Sequence, residues 1–338
     1  MKYLIYVFFC LLSAYCDAQV VTLRPKNYGT YANPIIGEDY PDPSYIKADD
    51  GYFYLYGTGE NIKKSKDLVT WTYVGKAFGN FRPDFVPGVN RYWAPDINKI
   101  NGKYVLYFAL SKWGSNDSCG IGVAVADRPE GPFEPYDNPD TKVNEFGKLF
   151  LSYEIGVRNS IDPCYFEEDD GRKYLIWGSF SGIYIIELSD DGLSVKKGAV
   201  KTQIGGTAYE GSYIYKSNGY YYFFGSIGFC CSGAASTYQT VYARSTSLFG
   251  PYTTKTGGSL MKNQHEVLIH GNEKWAGTGH NAEIFTDKNG DDWIIYHAYS
   301  KTNPDIGRMA LMDKVHWTNN WPSVYGSTPS PLSAKPEL

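Results

Sequence analysis

Five segments of the chain repeat one grammar, and this repetition limits the available folds more than any other feature. Each opens on an acidic or histidine-containing motif, crosses a short gap to an Asn-Gly or Asp-Gly-type turn, and continues into an aromatic run. The segments are YPDPSYIKADDGYFYLYG from Tyr40, WAPDINKINGKYVLYFA from Trp93, IDPCYFEEDDGRKYLIWGS from Ile161, YEGSYIYKSNGYYYFFGS from Tyr209 and GHNAEIFTDKNGDDWIIYHAY from Gly279. Nine positions separate Asp42 from Gly51, Asp162 from Gly171 and Glu210 from Gly219. His280 precedes Gly290 by ten, whereas Asp96 precedes Gly102 by only six. The turn dipeptides accept positive φ readily, so each unit reads as strand, tight turn, strand. Repeats with room for four short strands each are the pattern of a β-propeller, here all-β with five blades in a single domain over residues 19–338. The 31 tyrosines and 36 glycines agree, since aromatic residues suit pleated surfaces. The Pro- and Ser-containing tail after Ser323 is expected to be peripheral.

In a propeller, equivalent positions on successive blades form a ring about the axis. Residues 42, 96, 162, 210 and 280 are therefore expected to converge at one end of the channel. Converging carboxylates raise one another's pKa, and a protonated acid opposite an ionised base suits cleavage of a glycosidic bond. Glu210 has the longer reach toward a leaving group and is the expected acid. Asp42, restrained between Pro41 and Pro43, is the expected base, and Asp162 is the third carboxylate that tunes the acid. Asp96, with its short offset, stays outside this catalytic set.

The ends and the charge bound the rest. Residues 1–18 read as a secretory signal cleaved after Ala18, with an apolar run too short to span a membrane. A soluble monomer exported to the periplasm or beyond is expected. The net charge of -4 and the scattered basic residues exclude nucleic acid as a partner. Cys119, Cys164, Cys230 and Cys231 match no zinc spacing. Adjacent Cys230 and Cys231 are expected not to pair with each other. Buried thiols are favoured, with a bridge from either to Cys119 or Cys164 as the alternative.

These motifs together resemble the glycoside hydrolase family 43 enzymes, five-bladed propellers acting on arabinan, arabinoxylan and xylan. YPDPSYI resembles the family's base motif, NSIDPCYFEEDDG its pKa-modulating segment and YEGSYIYKSNGYYYFF its general-acid segment, which implies inversion of configuration by direct water attack. FGSIGFCCSGAASTYQTVYARSTSLFGPY is similar to the endo-α-1,5-L-arabinanases within that family. The resemblance implies that Gly114, Asn159, Ser160, Ile161, Ser179 and Phe180 line the sugar site. It also implies that Arg308 reaches the active centre and that His280 holds a calcium ion largely through waters. Trp93 is a candidate platform for a sugar ring. Two positions depart from the pattern: Ser160 stands where Ala is usual, and Ser181 where Trp is usual. The activity implied is endo-cleavage of arabinan. The alternatives are an exo-acting α-L-arabinofuranosidase or β-xylosidase and, in another class, a non-catalytic carbohydrate-binding propeller.

Overall fold

The computed structural model describes residues 29–79, 83–89, 91–137 and 145–338; the expected signal lies outside them. Nearly everything is β, in five blades. Blade 1 runs through Ser44–Lys47, Phe53–Tyr56, Asn61–Ser65 and Thr72–Lys76. Blade 2 uses Trp93–Ile100, Lys103–Leu110, Gly120–Ala126 and Lys148–Leu151, and blade 3 uses Cys164–Glu167, Lys173–Trp177, Ile183–Glu187 and Thr202–Gly205. Blade 4 comprises Glu210–Ser217, Tyr220–Ile227, Gln239–Ser245 and Glu266–Ile269. In blade 5, Trp275–Gly279 and Ile284–Thr286 both pair with Asp292–Ser300, followed by Arg308–Thr318 and Trp321–Ser323.

The aromatic runs are the second strands of the blades, and their lack of polar alternation has a simple cause. Successive strand residues face opposite sides of a sheet, and here both sides are packed. Tyr54 and Tyr56 join Tyr104, Leu106 and Phe108 between blades 1 and 2, while Val105 and Tyr107 turn the other way to meet Leu175 and Trp177. Ile176 and Phe223 lie between blades 3 and 4, and Tyr222 and Phe224 meet Ile294 and Tyr296 between blades 4 and 5. Phe53 and Leu55 close the circle against Trp293 and Ile295. The core is thus five seams rather than one central mass.

At the channel, Asp42, Ala94, Asp162, Gly211 and His280 all take left-handed φ between 42° and 58°, just ahead of or within the innermost strand of each blade. Only Gly adopts this conformation without strain, so its recurrence marks the true ring register. The second ring position is therefore Ala94, not Asp96, and the fourth is Gly211, one residue after Glu210, which corrects the expected equivalence at two blades. Ala94 precedes Gly102 by eight residues, as Gly211 precedes Gly219. In those two blades Asn101-Gly102 and Asn218-Gly219 both have positive φ, giving tight two-residue turns. The longer turns of the other blades account for their larger offsets.

Two residues beyond the first four ring positions, and three beyond the fifth, a second ring ties the blades together. The Ile97 N–H donates to Ser44 Oγ, Tyr165 N–H to Asp96 Oδ2 and Tyr45 N–H to Glu283 Oε2. Ile284 N–H donates to Tyr213 Oη, and Cys164 sulfur takes the Ile214 N–H. Each acceptor thus serves the next blade, and the last serves the first.

Blade 5 is made only of C-terminal residues, so the circle closes by contact with the N-terminal segment. Tyr40 N–H donates to Arg308 O at 2.7 Å, and Ile35 N–H to Ala310 O at 2.9 Å. The tail after Ser323 is stitched in rather than peripheral: Ser330 N–H donates to Asp313 Oδ1, and Ser333–Ala334 pair with Thr30–Tyr31. Among the described residues no helix is long and apolar enough to cross a membrane.

Candidate active site

The ring positions open into a cleft of ≈ 260 Å³ whose walls include Asp42, Thr58, Trp93, Trp113, Ile161, Asp162, Glu210, Tyr238, His280 and Arg308. The three expected carboxylates therefore meet in one place.

Asp42 is the most heavily restrained. Arg308 Nη1 lies 3.0 Å from its Oδ1, and His280 Nδ1 and His297 Nδ1 each lie 3.3 Å from the same oxygen. Thr58 Oγ1 donates to Oδ2 at 2.6 Å and accepts the Ala94 N–H, joining the first two ring positions. The Asp42 N–H donates to His297 Nδ1, which assigns that ring's proton to Nε2. Burial by itself would raise the Asp42 pKa. The Arg308 guanidinium instead holds it well below the usual carboxylate range. Burial also pulls the His297 pKa down to about 4 and lowers that of His280, so both rings are neutral near pH 7.

Glu210 opens the innermost strand of blade 4 and faces the opposite balance. Burial pushes its pKa up; Ser179 and Tyr238 pull it down, and the Asp42 charge adds to the rise. Asp162 is raised further, by burial and then by Glu210 and Asp42. Its Oδ2 accepts the Gly211 N–H at 3.0 Å. Gly211 is needed here, since φ is +56° and a Cβ would lie 3.1 Å from the His280 ring. The cleft therefore holds one carboxylate kept ionised opposite two that favour their protonated form.

The other expected residues divide. Trp93, Ile161, Arg308 and His280 line the cleft. Asn159 and Ser179 stand behind the acid rather than on the cleft wall: Asn159 Nδ2 donates to Ser179 Oγ at 2.8 Å, and Ser179 Oγ donates to Glu210 Oε2 at 2.7 Å. Ser160 is corrected outright. It is fully buried, and its hydroxyl donates to Val157 O while accepting from Trp177 Nε1. Phe180 is exposed on the turn beside Ser179 and does not line the cleft. Gly114 is not on the wall either; with φ +80° it follows Trp113, which is 69% exposed.

Several site residues were not among those expected. Trp113 stands 6.4 Å from Trp93 and 6.4 Å from Phe229, giving an aromatic row at the rim. Cys230 and Cys231 line the same cleft, joined to each other as a disulfide. This overturns both the expectation that they stay unpaired and the alternative bridge, since Cys119 and Cys164 are free and buried. Thr58, Tyr238 and His297 were also missed: Thr58 falls just past the first repeated segment, Tyr238 lies between the fourth and fifth, and His297, though inside the fifth, stands far from its ring position.

A calcium ion caged by side chains does not fit this centre. Among the described residues no three His, Cys, Asp or Glu side chains are grouped to hold a metal. His280 offers one imidazole, and calcium prefers six to eight oxygens, so any such ion would keep most of its own water.

The comparisons with known proteins agree with this geometry. The model of glycosyl hydrolases family 43 matches residues 31–322. An extracellular exo-α-(1->5)-L-arabinofuranosidase of Cellvibrio japonicus is 32% identical over 85% of this chain and 86% of its own. An extracellular endo-α-(1->5)-L-arabinanase of Bacillus subtilis is 33% identical over 83% of this chain and 86% of its own. A Cellvibrio cellulosa α-L-arabinanase solved with arabinohexaose superposes with a TM-score of 0.73 at 28% identity, over 85% of this chain and 96% of that one. A five-bladed propeller with this cleft and a family match over nearly all of it leaves one conclusion: the chain belongs to family 43 of the glycosyl hydrolases.

Proposed function

We propose that this protein is an exported, monomeric, inverting glycosidase that cleaves the α-1,5-L-arabinofuranosidic bonds of arabinan internally. The observation that carries it is the opposed charge state of Asp42 and Glu210 across one cleft, the first held ionised by Arg308 and the second pushed toward its acid form by burial. Asp42 takes a proton from a water that attacks the anomeric carbon. Glu210 gives its proton to the departing O5 of the next arabinose, and the single displacement inverts the anomeric centre. Asp162, hydrogen-bonded to the Gly211 N–H beside the acid, keeps a further carboxyl close enough to set the proton affinity of Glu210.

The names of both curated relatives support arabinan as substrate, and the row Trp93, Trp113 and Phe229 supports endo action because it extends the binding surface past one sugar. The exo reading is kept as the rival, since the Cellvibrio japonicus relative is named exo-acting. A time course on linear arabinan separates them. An early ladder of oligosaccharides is expected, and arabinose as the sole early product overturns endo action. Full activity in Glu210→Gln would remove the catalytic assignment. A calcium ion, if bound, would be met by the His280 imidazole and its own waters and would favour the ionised form of nearby carboxylates.

A further inference from the structure

Tyr238 is buried in the cleft and spans its two halves. Its ring stacks on His297 with centroids 5.7 Å apart and planes 11° from parallel, and His297 in turn accepts the Asp42 N–H. The ring fits only because residue 279 is glycine: a Cβ there would sit 2.3 Å from the Tyr238 ring. At the other end, the Tyr238 hydroxyl lies beside the Glu210 carboxyl, yet it is buried without a well-formed hydrogen bond. A buried hydroxyl left unsatisfied is destabilising, so its placement calls for a reason.

We propose that Tyr238 is a positioning residue for the acid, supplying the hydrogen bond that receives Glu210 as an anion once its proton has left. The inference rests on the reading of Glu210 as the acid. When Glu210 gives up its proton it becomes a buried carboxylate facing Asp42 from blade 1 and Asp162 from the entry to blade 3, with Arg308 of blade 5 as the balancing cation. It then needs donors. Ser179 Oγ already donates to Glu210 and accepts from Asn159, so its contact is in place from the start. The Tyr238 hydroxyl has no such fixed engagement. Its bond forms fully only as charge develops on Glu210, and an interaction stronger in the transition state than before it accelerates the reaction. Burial, Glu210 and Asp162 hold the phenol pKa well above its ordinary value, so Tyr238 remains a donor over the working pH range.

The test is Tyr238→Phe, which keeps the ring against His297 and Gly279. The alkaline limb of kcat/KM is expected to move up by about half to one pH unit, because a donor that favours the Glu210 anion has gone. On linear arabinan kcat is expected to fall about tenfold, equivalent to 1.4 kcal/mol. On a nitrophenyl arabino-oligosaccharide, whose leaving group needs little protonation, kcat should change less than about twofold. An unmoved limb, or equal loss on both substrates, overturns the inference, since a packing role lowers both alike. Glu210→Gln, assayed for residual activity on the nitrophenyl substrate, separates this from the underlying reading. If the alkaline limb survives in that variant, Glu210 is not the acid and both fall. If the limb vanishes there but stays unmoved in Tyr238→Phe, only the role of Tyr238 is lost.

Discussion

Arg308 Nη1 rests 3.0 Å from Asp42 Oδ1, and the two residues come from the last and first blades of the ring. This contact explains how a buried aspartate stays ionised, and it makes a prediction about pH. Arg308→Met removes the cation that lowers the Asp42 pKa, so a higher pH is needed to ionise the base. The acidic limb of kcat/KM should move up by at least about one unit, with a loss of about 10²–10⁴-fold near the optimum. A profile that drops uniformly with its limb in place would assign Arg308 to substrate binding alone.

Trp113 is exposed, tilted against Trp93 and edge-on to Phe229. Trp113→Ala should leave the melting temperature unchanged while raising KM for long arabinan about tenfold, from the loss of one ring-stacking contact of about 1.5 kcal/mol. Short substrates that do not reach the rim should show no change. Equal effects on short and long chains would place Trp113 at the reacting sugar instead.

Asp96 and Glu283 lie in the inter-blade ring, where burial raises their pKa values to about 7 and about 8. The folded protein therefore binds more protons here than the unfolded chain, in which a carboxyl titrates near 4. By linkage, this contribution is intact below about pH 4 and is lost as pH rises through 7 to 8. Asp96→Asn keeps an oxygen for Tyr165 N–H and Asn98 but no longer titrates. Relative to the parent it should gain about 4 kcal/mol of stability between pH 4 and pH 8, read from denaturant unfolding at both. A difference independent of pH would mean that Asp96 ionises as freely folded as unfolded.

If a hydrated ion sits at His280, a chelator should lower activity without unfolding the protein, because no side-chain cage is there to collapse. His280→Ala should abolish that response. Unfolding on chelation would point to a metal held elsewhere.

The blades were legible in the sequence because both faces of each second strand are buried, which leaves unbroken runs such as FYLY and YLIW behind a hairpin turn. The carboxylates were legible because Asp42 and Asp162 stand at ring positions and Glu210 one residue before the fourth. The ring itself was misread at two blades, because Ala94 and Gly211 carry no functional group to mark it and the nearby Asp96 and Glu210 do. The inter-blade ring could not be read at all. Its acceptors are Ser44, Asp96, Cys164, Tyr213 and Glu283, five side chains that share a location but no chemistry. Tyr238 sits outside the repeats and His297 at the far end of the fifth, and both acquire their roles only from the partners folding gives them. Ser160 and the cysteine pair show the reverse: a recognisable motif fixes the path of the backbone but not where each side chain ends up.

The closure between the first and last blades has a consequence for how this enzyme fails. Tyr40 N–H bonds to Arg308 O, and two residues after Tyr40 the Asp42 side chain takes the Arg308 guanidinium. The clasp of the ring and the charge of the base share the same two strands of chain. Opening of the circle at this joint would pull the guanidinium from the base even with every blade intact, so the loss of activity on warming would double as a gauge of how firmly the circle is shut.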